Sequence, residues 1–195
     1  MLALCFTTLS GAWAAASQQE LSGKLIRLHV VAVSDSERDQ AAKLRVRDEV
    51  LALLEPELRG ITSRAEAEAR ISALLPAIEE TARGVIPETA LGVAASLGSE
   101  AYPTRYYDGF ALPAGEYLSL RVVLGEGRGQ NWWCVVFPPL CAAAAEGVAG
   151  VSGMGVLDDD GVALISEGDG YEIRFKILEI WGNVRNFIEE KSNAG

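Results

Sequence analysis

The amino-acid sequence predicts an α+β domain, with a mostly antiparallel sheet on which two early helices and a C-terminal helix pack. Three observations carry that expectation. The run LIRLHVVAV, from Leu25 to Val33, is rich in β-branched residues and suits a central strand. Two stretches of helical periodicity follow it directly. From about Pro87 the texture changes to Gly, Tyr and β-branched residues with turn signals at short intervals. The early helices lie between strand segments, which argues against a purely parallel α/β sheet.

After the first strand, Ser34-Asp35-Ser36 offers helix N-caps, and Glu37 and Asp39 suit a first turn. The first helix is expected from about Glu37 to Leu58, with Val46, Val50, Leu51, Leu54 and Leu58 as its apolar stripe, Pro56 disturbing its last turn and Gly60 ending it. A second helix is expected from Ser63, with Glu66 completing a capping box. Ala67, Ile71, Leu74, Leu75, Ile78 and Ala82 form its apolar side, and Pro76 predicts a kink. Ala90 to Tyr102 reads as a strand. Thr104 to Leu112 and Glu116 to Leu124 read as a hairpin around Pro113-Ala114-Gly115, and Asn131 to Phe137 as a further strand. Residues 142–170 are rich in Ala and Gly and read as a loop or loosely ordered insert. Ile173, Ile177, Ile180, Trp181, Val184, Phe187 and Ile188 recur at helical spacing.

The chain has 195 residues, 49% of them hydrophobic and 23% charged, and a formal net charge of −10. Such a composition supports a packed core. An acidic surface without a run of Lys and Arg argues against nucleic acid or anionic lipid as partner. His29 is the single histidine, which excludes zinc sites built on two or three of them. No charged residue precedes Glu20, and Met1 to Ala16 ends in small residues of the A-x-A type. Residues 1–16 are read as a signal peptide, 17–23 as a linker and 24–190 as one domain. An uncleaved N-terminal anchor is the alternative, since no basic residue opens the segment. Export would place Cys134 and Cys141 where a disulfide forms; two buried thiols are the other reading.

Several motifs invite chemistry. Gly125-Glu126-Gly127-Arg128-Gly129 resembles half of a dinucleotide loop, but a strand follows it rather than a helix, so a glycine-rich turn between strands is the better reading. Asp158, Asp160, Gly161 and Glu167 fall at calcium-loop positions, yet Val156 occupies the first and has no ligand oxygen. His29 and Cys134 are a nucleophile and base only if the fold brings them together; a structural histidine bonded to a carboxylate or carbonyl is the simpler expectation. Arg47 lies within the apolar stripe of the first helix. It either snorkels or pairs with an acid, with Asp35 and Glu116 as candidates. Trp132 and Trp133, adjacent on a strand, must point to opposite faces. With Tyr106 and Tyr107 they are candidate partner contacts, or core.

Several blocks, in order, resemble the stage II sporulation protein R family. They are Arg27-Leu28-His29-Val30, Ser34-Asp35-Ser36, Asp39-Gln40 and Lys43-Leu44-Arg45-Val46-Arg47-Asp48. Then come Tyr102-Pro103-Thr104-Arg105, Pro113-Ala114-Gly115-Glu116-Tyr117 and Gly125-Glu126-Gly127. The most specific is Asn131-Trp132-Trp133-Cys134-Val135-Val136-Phe137-Pro138-Pro139-Leu140-Cys141; Ile173-Arg174-Phe175-Lys176 adds a weaker match. Val33 stands where the family commonly has Asn. The resemblance implies a protein secreted from the forespore into the intermembrane space, where it activates a membrane-embedded aspartic protease that processes the sigma-E precursor. On that reading the chain is a ligand. It has no catalytic residue, no cofactor and no metal, and touches membrane only through its export leader. His29, Asp35, Arg47 and Glu116 would be structural. An extracytoplasmic wall hydrolase using His29 with Cys134 or a carboxylate, or a wall-binding module using the aromatic residues, is the competing class.

Overall fold

The computed structural model describes residues 18–86, 92–107 and 110–140. The expected leader, Cys141, the calcium-like loop, the 142–170 insert and the C-terminal helix all lie outside the described residues. Residues 18–24, of which 18–23 read as polar linker, are helical and bury Leu21. The elements that follow are β1 (Ile26–Val31), α1 (Glu37–Leu58), α2 (Arg64–Val85), β2 (Val93–Tyr102), β3 (Arg105–Tyr107), β4 (Phe110–Leu112), β5 (Gly115–Leu124) and β6 (Asn131–Phe137).

The α+β content is present, but the sheet is mixed rather than mostly antiparallel. Its order is β2-β5-β1-β6, and its central pair, β1 with β5, is parallel. That pairing arises because β1 enters the middle of the sheet and the chain then leaves through two helices. The expected 104–124 hairpin is also replaced. β5 pairs with β2 over Val93–Tyr102, in register from Val93↔Leu124 to Tyr102↔Gly115. β3 and β4 form a separate two-stranded flap between them.

Ser36 caps α1, its hydroxyl accepting from the Asp39 amide at 3.2 Å, which satisfies one of the first-turn donors. Pro56 is accommodated inside α1. Ser63 takes the N-cap position of α2 without a side-chain cap bond, so the expected capping box does not form. Val46, Val50, Leu54 and Leu58 of α1, with Ala67, Ile71, Ile78 and Ala82 of α2, pack on Ile26, Leu28 and Val30 of β1 and Leu120, Val122 and Leu124 of β5.

The glycine-rich segment connects β5 to β6, which are not neighbours, so it must cross the end of β1 lying between them. It does so at close range. The Arg128 amide donates to the Val33 carbonyl at 3.3 Å and the Gly129 amide to that of Ala32 at 2.9 Å. A Cβ at Gly129 would stand 2.4 Å from the Ser34 carbonyl oxygen. The Ser34-Asp35-Ser36 turn and the glycine segment therefore form one structure, sealed by the Gln130 amide donating to Asp35 at 2.8 Å.

Candidate functional site

All six residues of β1 are buried, yet the strand alternates in chemistry. Ile26, Leu28 and Val30 meet the helices. Arg27 and His29 face the other way, as the period of two requires, into a second cluster of Leu25, Tyr102, Phe110, Leu112, Tyr117 and Val135, with Tyr107 and Trp133 at its margin. This second face concentrates the polar chemistry of the described residues.

The Arg27 side chain is fully buried. Its guanidinium lies 3.9 Å from the Tyr102 ring centroid and 5.0 Å from that of Tyr117, within cation–π range. One terminal nitrogen donates to the Tyr107 hydroxyl at 2.6 Å; Nε and Nη1 have no partner among the described residues. Burial pushes the phenols of Tyr102, Tyr107 and Tyr117 above their ordinary range, so they surround the cation as neutral rings and hydroxyls. The Tyr117 hydroxyl donates to the Pro113 carbonyl at 2.7 Å, and those of Tyr102 and Ser119 lie 2.6 Å apart.

His29 is 5% exposed, with both ring nitrogens engaged. Nδ1 lies 2.7 Å from the Glu100 carboxylate and Nε2 2.9 Å from the Asn131 side-chain oxygen, while Trp133 stacks on the ring at 5.5 Å. Burial raises the Glu100 pKa, but hydrogen bonding at Ser119, the charge and bond of His29 and the Tyr102 hydroxyl outweigh it, leaving the pKa below the usual carboxylate value. Cys134 pairs with Leu28 and Trp133 with His29 across β1–β6. Cys134 therefore points to the helix face, away from His29, and the two do not form a nucleophile–base pair. Cys134 is buried on β6; Cys141, its expected bridging partner, lies outside the described residues.

Trp132 and Trp133 take opposite faces, but neither is a bare surface ring. Each is half-buried beneath an arginine: Arg47 lies 4.9 Å from the Trp132 centroid and Arg105 3.7 Å from that of Trp133. Arg47 pairs with Asp48 at 2.7 Å rather than with Asp35 or Glu116. Asp35 holds the glycine segment, and Glu116 accepts from the Ser99 hydroxyl at 2.8 Å. Tyr107 stacks on Phe110 at 4.7 Å, while Tyr106 is 64% exposed. The four aromatic candidates are thus not one patch: Trp132 belongs with α1, and Trp133 and Tyr107 belong with the second face.

Sequence reasoning missed Arg27, Glu100, Asn131 and Arg105. Arg27, Arg105 and Asn131 stand in the family-like blocks without a role assigned to them, and Arg27 is also a charge inside a β-branched run. A third feature is a cavity of about 610 Å³ lined by Leu51, Leu54 and Leu58 of α1, Ile61, Phe137 and Pro138. Among the described residues no group of three His, Cys, Asp or Glu is placed to hold a metal, and no helix is long and apolar enough to cross a membrane.

The family model described as stage II sporulation protein R matches residues 22–146. Stage II sporulation protein R of Bacillus subtilis (strain 168) is 36% identical over 149 residues, covering 70% of this chain and 66% of that relative's length. No solved structure matches.

Proposed function

The chain belongs to the stage II sporulation protein R family, which gives it a role in sporulation, and from that premise we propose that it is a secreted activating ligand. It leaves the forespore through its leader and enters the intermembrane space. There it binds the membrane-embedded aspartic protease of the mother cell and favours the state that cleaves the sigma-E precursor. A ligand shifts a receptor only by binding one of its states more tightly, so the requirement on this chain is a surface rather than a reaction. In that oxidising compartment Cys134 and Cys141 form a bridge.

The observation that carries the reading is the family match, which contains every element of the four-stranded sheet. The hydrolase alternative is weakened by geometry. His29 and Cys134 point to opposite faces, and both ring nitrogens of His29 are already engaged, Nδ1 by the part-buried Glu100 and Nε2 by Asn131. The test is complementation in Bacillus subtilis lacking its own stage II protein R. Expression of this chain in the forespore restores precursor processing on an immunoblot. A well-expressed, exported chain that leaves the precursor uncut contradicts the proposal.

A further inference from the structure

The sheet has two edge strands, and β2 is the one whose outer side divides into a covered half and an open half. In an antiparallel pair, alternate residues turn both backbone groups toward the partner strand, and those between turn them away. The register between β2 and β5 runs without a bulge. The Ala95 amide is bonded not by β5 but by the Glu79 carboxylate of α2, at 3.0 Å; Ala95 therefore points outward, and so do Leu97, Ser99 and Ala101. Helix α2 satisfies the edge amide at Ala95. Among the described residues nothing bonds the outward backbone groups of the other three.

Such an edge is a template for strand addition, and folded proteins normally blunt it with lysine, proline, a bulge or a covering element. Leu97 to Ala101 carries no lysine, proline or bulge, and among the described residues no element covers it. Its flanks also leave room: Ser96, Gly98, Ser99 and Ala101 are exposed. The charge at this end is acidic. Glu116 accepts from Ser99 and has no ion-pair partner among the described residues, whereas Glu100, one residue on, is already engaged by His29 at 2.7 Å and lies 3.9 Å from Arg121. Self-pairing would juxtapose these acids in two chains that each carry a net charge of −10.

We infer that the open half of β2, Leu97 to Ala101, receives an extended, positively charged segment of a partner protein as an added strand. Backbone hydrogen bonds would supply the affinity and Glu116 the charge preference. This rests on the activating-ligand reading, and it assigns the segment to the outward-facing part of the protease.

The experiment is amide hydrogen exchange on the full exported chain, alone and with the protease in lipid vesicles, together with two variants. Ser99→Pro removes one outward N–H. The ring is tolerated at a solvent-facing edge position, and the residue before it, Gly98, has no Cβ to clash. Ser99→Ala removes only the hydroxyl. On binding, the amides of Leu97, Ser99 and Ala101 become slow to exchange, while those of Gly98 and Glu100, already bonded to β5, change little. Ser99→Pro weakens binding by at least about tenfold, with the β2–β5 amides still protected, and Ser99→Ala does not. Binding that leaves the three outward amides fast overturns strand addition while leaving the ligand reading intact. Protection that appears with rising concentration of the chain alone assigns the edge to a second copy and overturns the proposal. Absence of any binding removes both the proposal and the reading beneath it.

Discussion

The two faces of the sheet share the same strands and are held by different physics. On the helix side, Ile26, Leu28 and Val30 meet aliphatic side chains of α1, α2 and β5; burial of this kind is non-directional and scales with area. On the other side, Arg27 and His29 from the same strand meet three tyrosines, a tryptophan, a glutamate and an asparagine. There the contacts are directional, and each depends on a named partner. One face can change its residues if it keeps its volume; the other cannot change a partner without stranding a polar group.

Substitutions that separate the faces rank by expected cost. Leu28→Ala opens a cavity among buried aliphatic groups and lowers stability by about 2–5 kcal/mol in denaturant unfolding. Next comes the proposed covalent link. The mature exported protein is expected to weigh two hydrogens less than its reduced form, and replacing both Cys134 and Cys141 by Ser costs about 2–3 kcal/mol.

On the polar face, Glu100→Gln weakens the bond to His29 and costs about 1–2 kcal/mol. Its pH signature is separate from the cost. The Glu100 pKa is lowered in the fold from an ordinary 4.5. Its contribution to stability is therefore complete above that ordinary value and is lost as pH falls through the depressed one. Acid unfolding of Glu100→Gln is expected to be flatter below pH 4.5 than that of the wild type.

The smallest effect is expected where the charge is deepest. Arg27→Met removes a guanidinium with two nitrogens unpartnered among the described residues and keeps an unbranched chain in the tyrosine cage, a gain that offsets the loss of the 2.6 Å bond to the Tyr107 hydroxyl, so stability changes by no more than about 1 kcal/mol. A loss as large as that of Leu28→Ala would show that the cation itself, held by the tyrosine rings, is a main support of this face.

The same contrast explains what was legible in the sequence. Helix α1 and strands β1 and β6 could be read from periodicity and β-branching, because each answers to a local pattern. The alternation of β1 could be read as well, but not what its outward residues would meet: the partners of His29 lie 71 and 102 positions away. Strand order failed for a related reason. Pro113-Ala114-Gly115 signals a turn, and the turn is there, but it leads β5 back to β2 across the β3–β4 flap rather than to the segment just before it. Arg47 was marked as unusual by its place in an apolar stripe; its contacts, Asp48 beside it and Trp132 on β6, depend on how α1 docks. The glycine segment reads locally as a turn, and only the insertion of β1 between β5 and β6 makes it a crossing that needs close backbone approach at Gly129.

The most direct test of the ligand reading is reconstitution with control of sidedness. The mother-cell protease and the sigma-E precursor are placed in vesicles with the precursor inside, and the purified exported chain is added to the outer solution or enclosed with the precursor. Activation from outside predicts precursor cleavage only when the folded chain is in the outer solution, and none when it is enclosed or omitted. Cleavage that proceeds equally without the chain, or no cleavage with a folded chain bound on the outside, would contradict it.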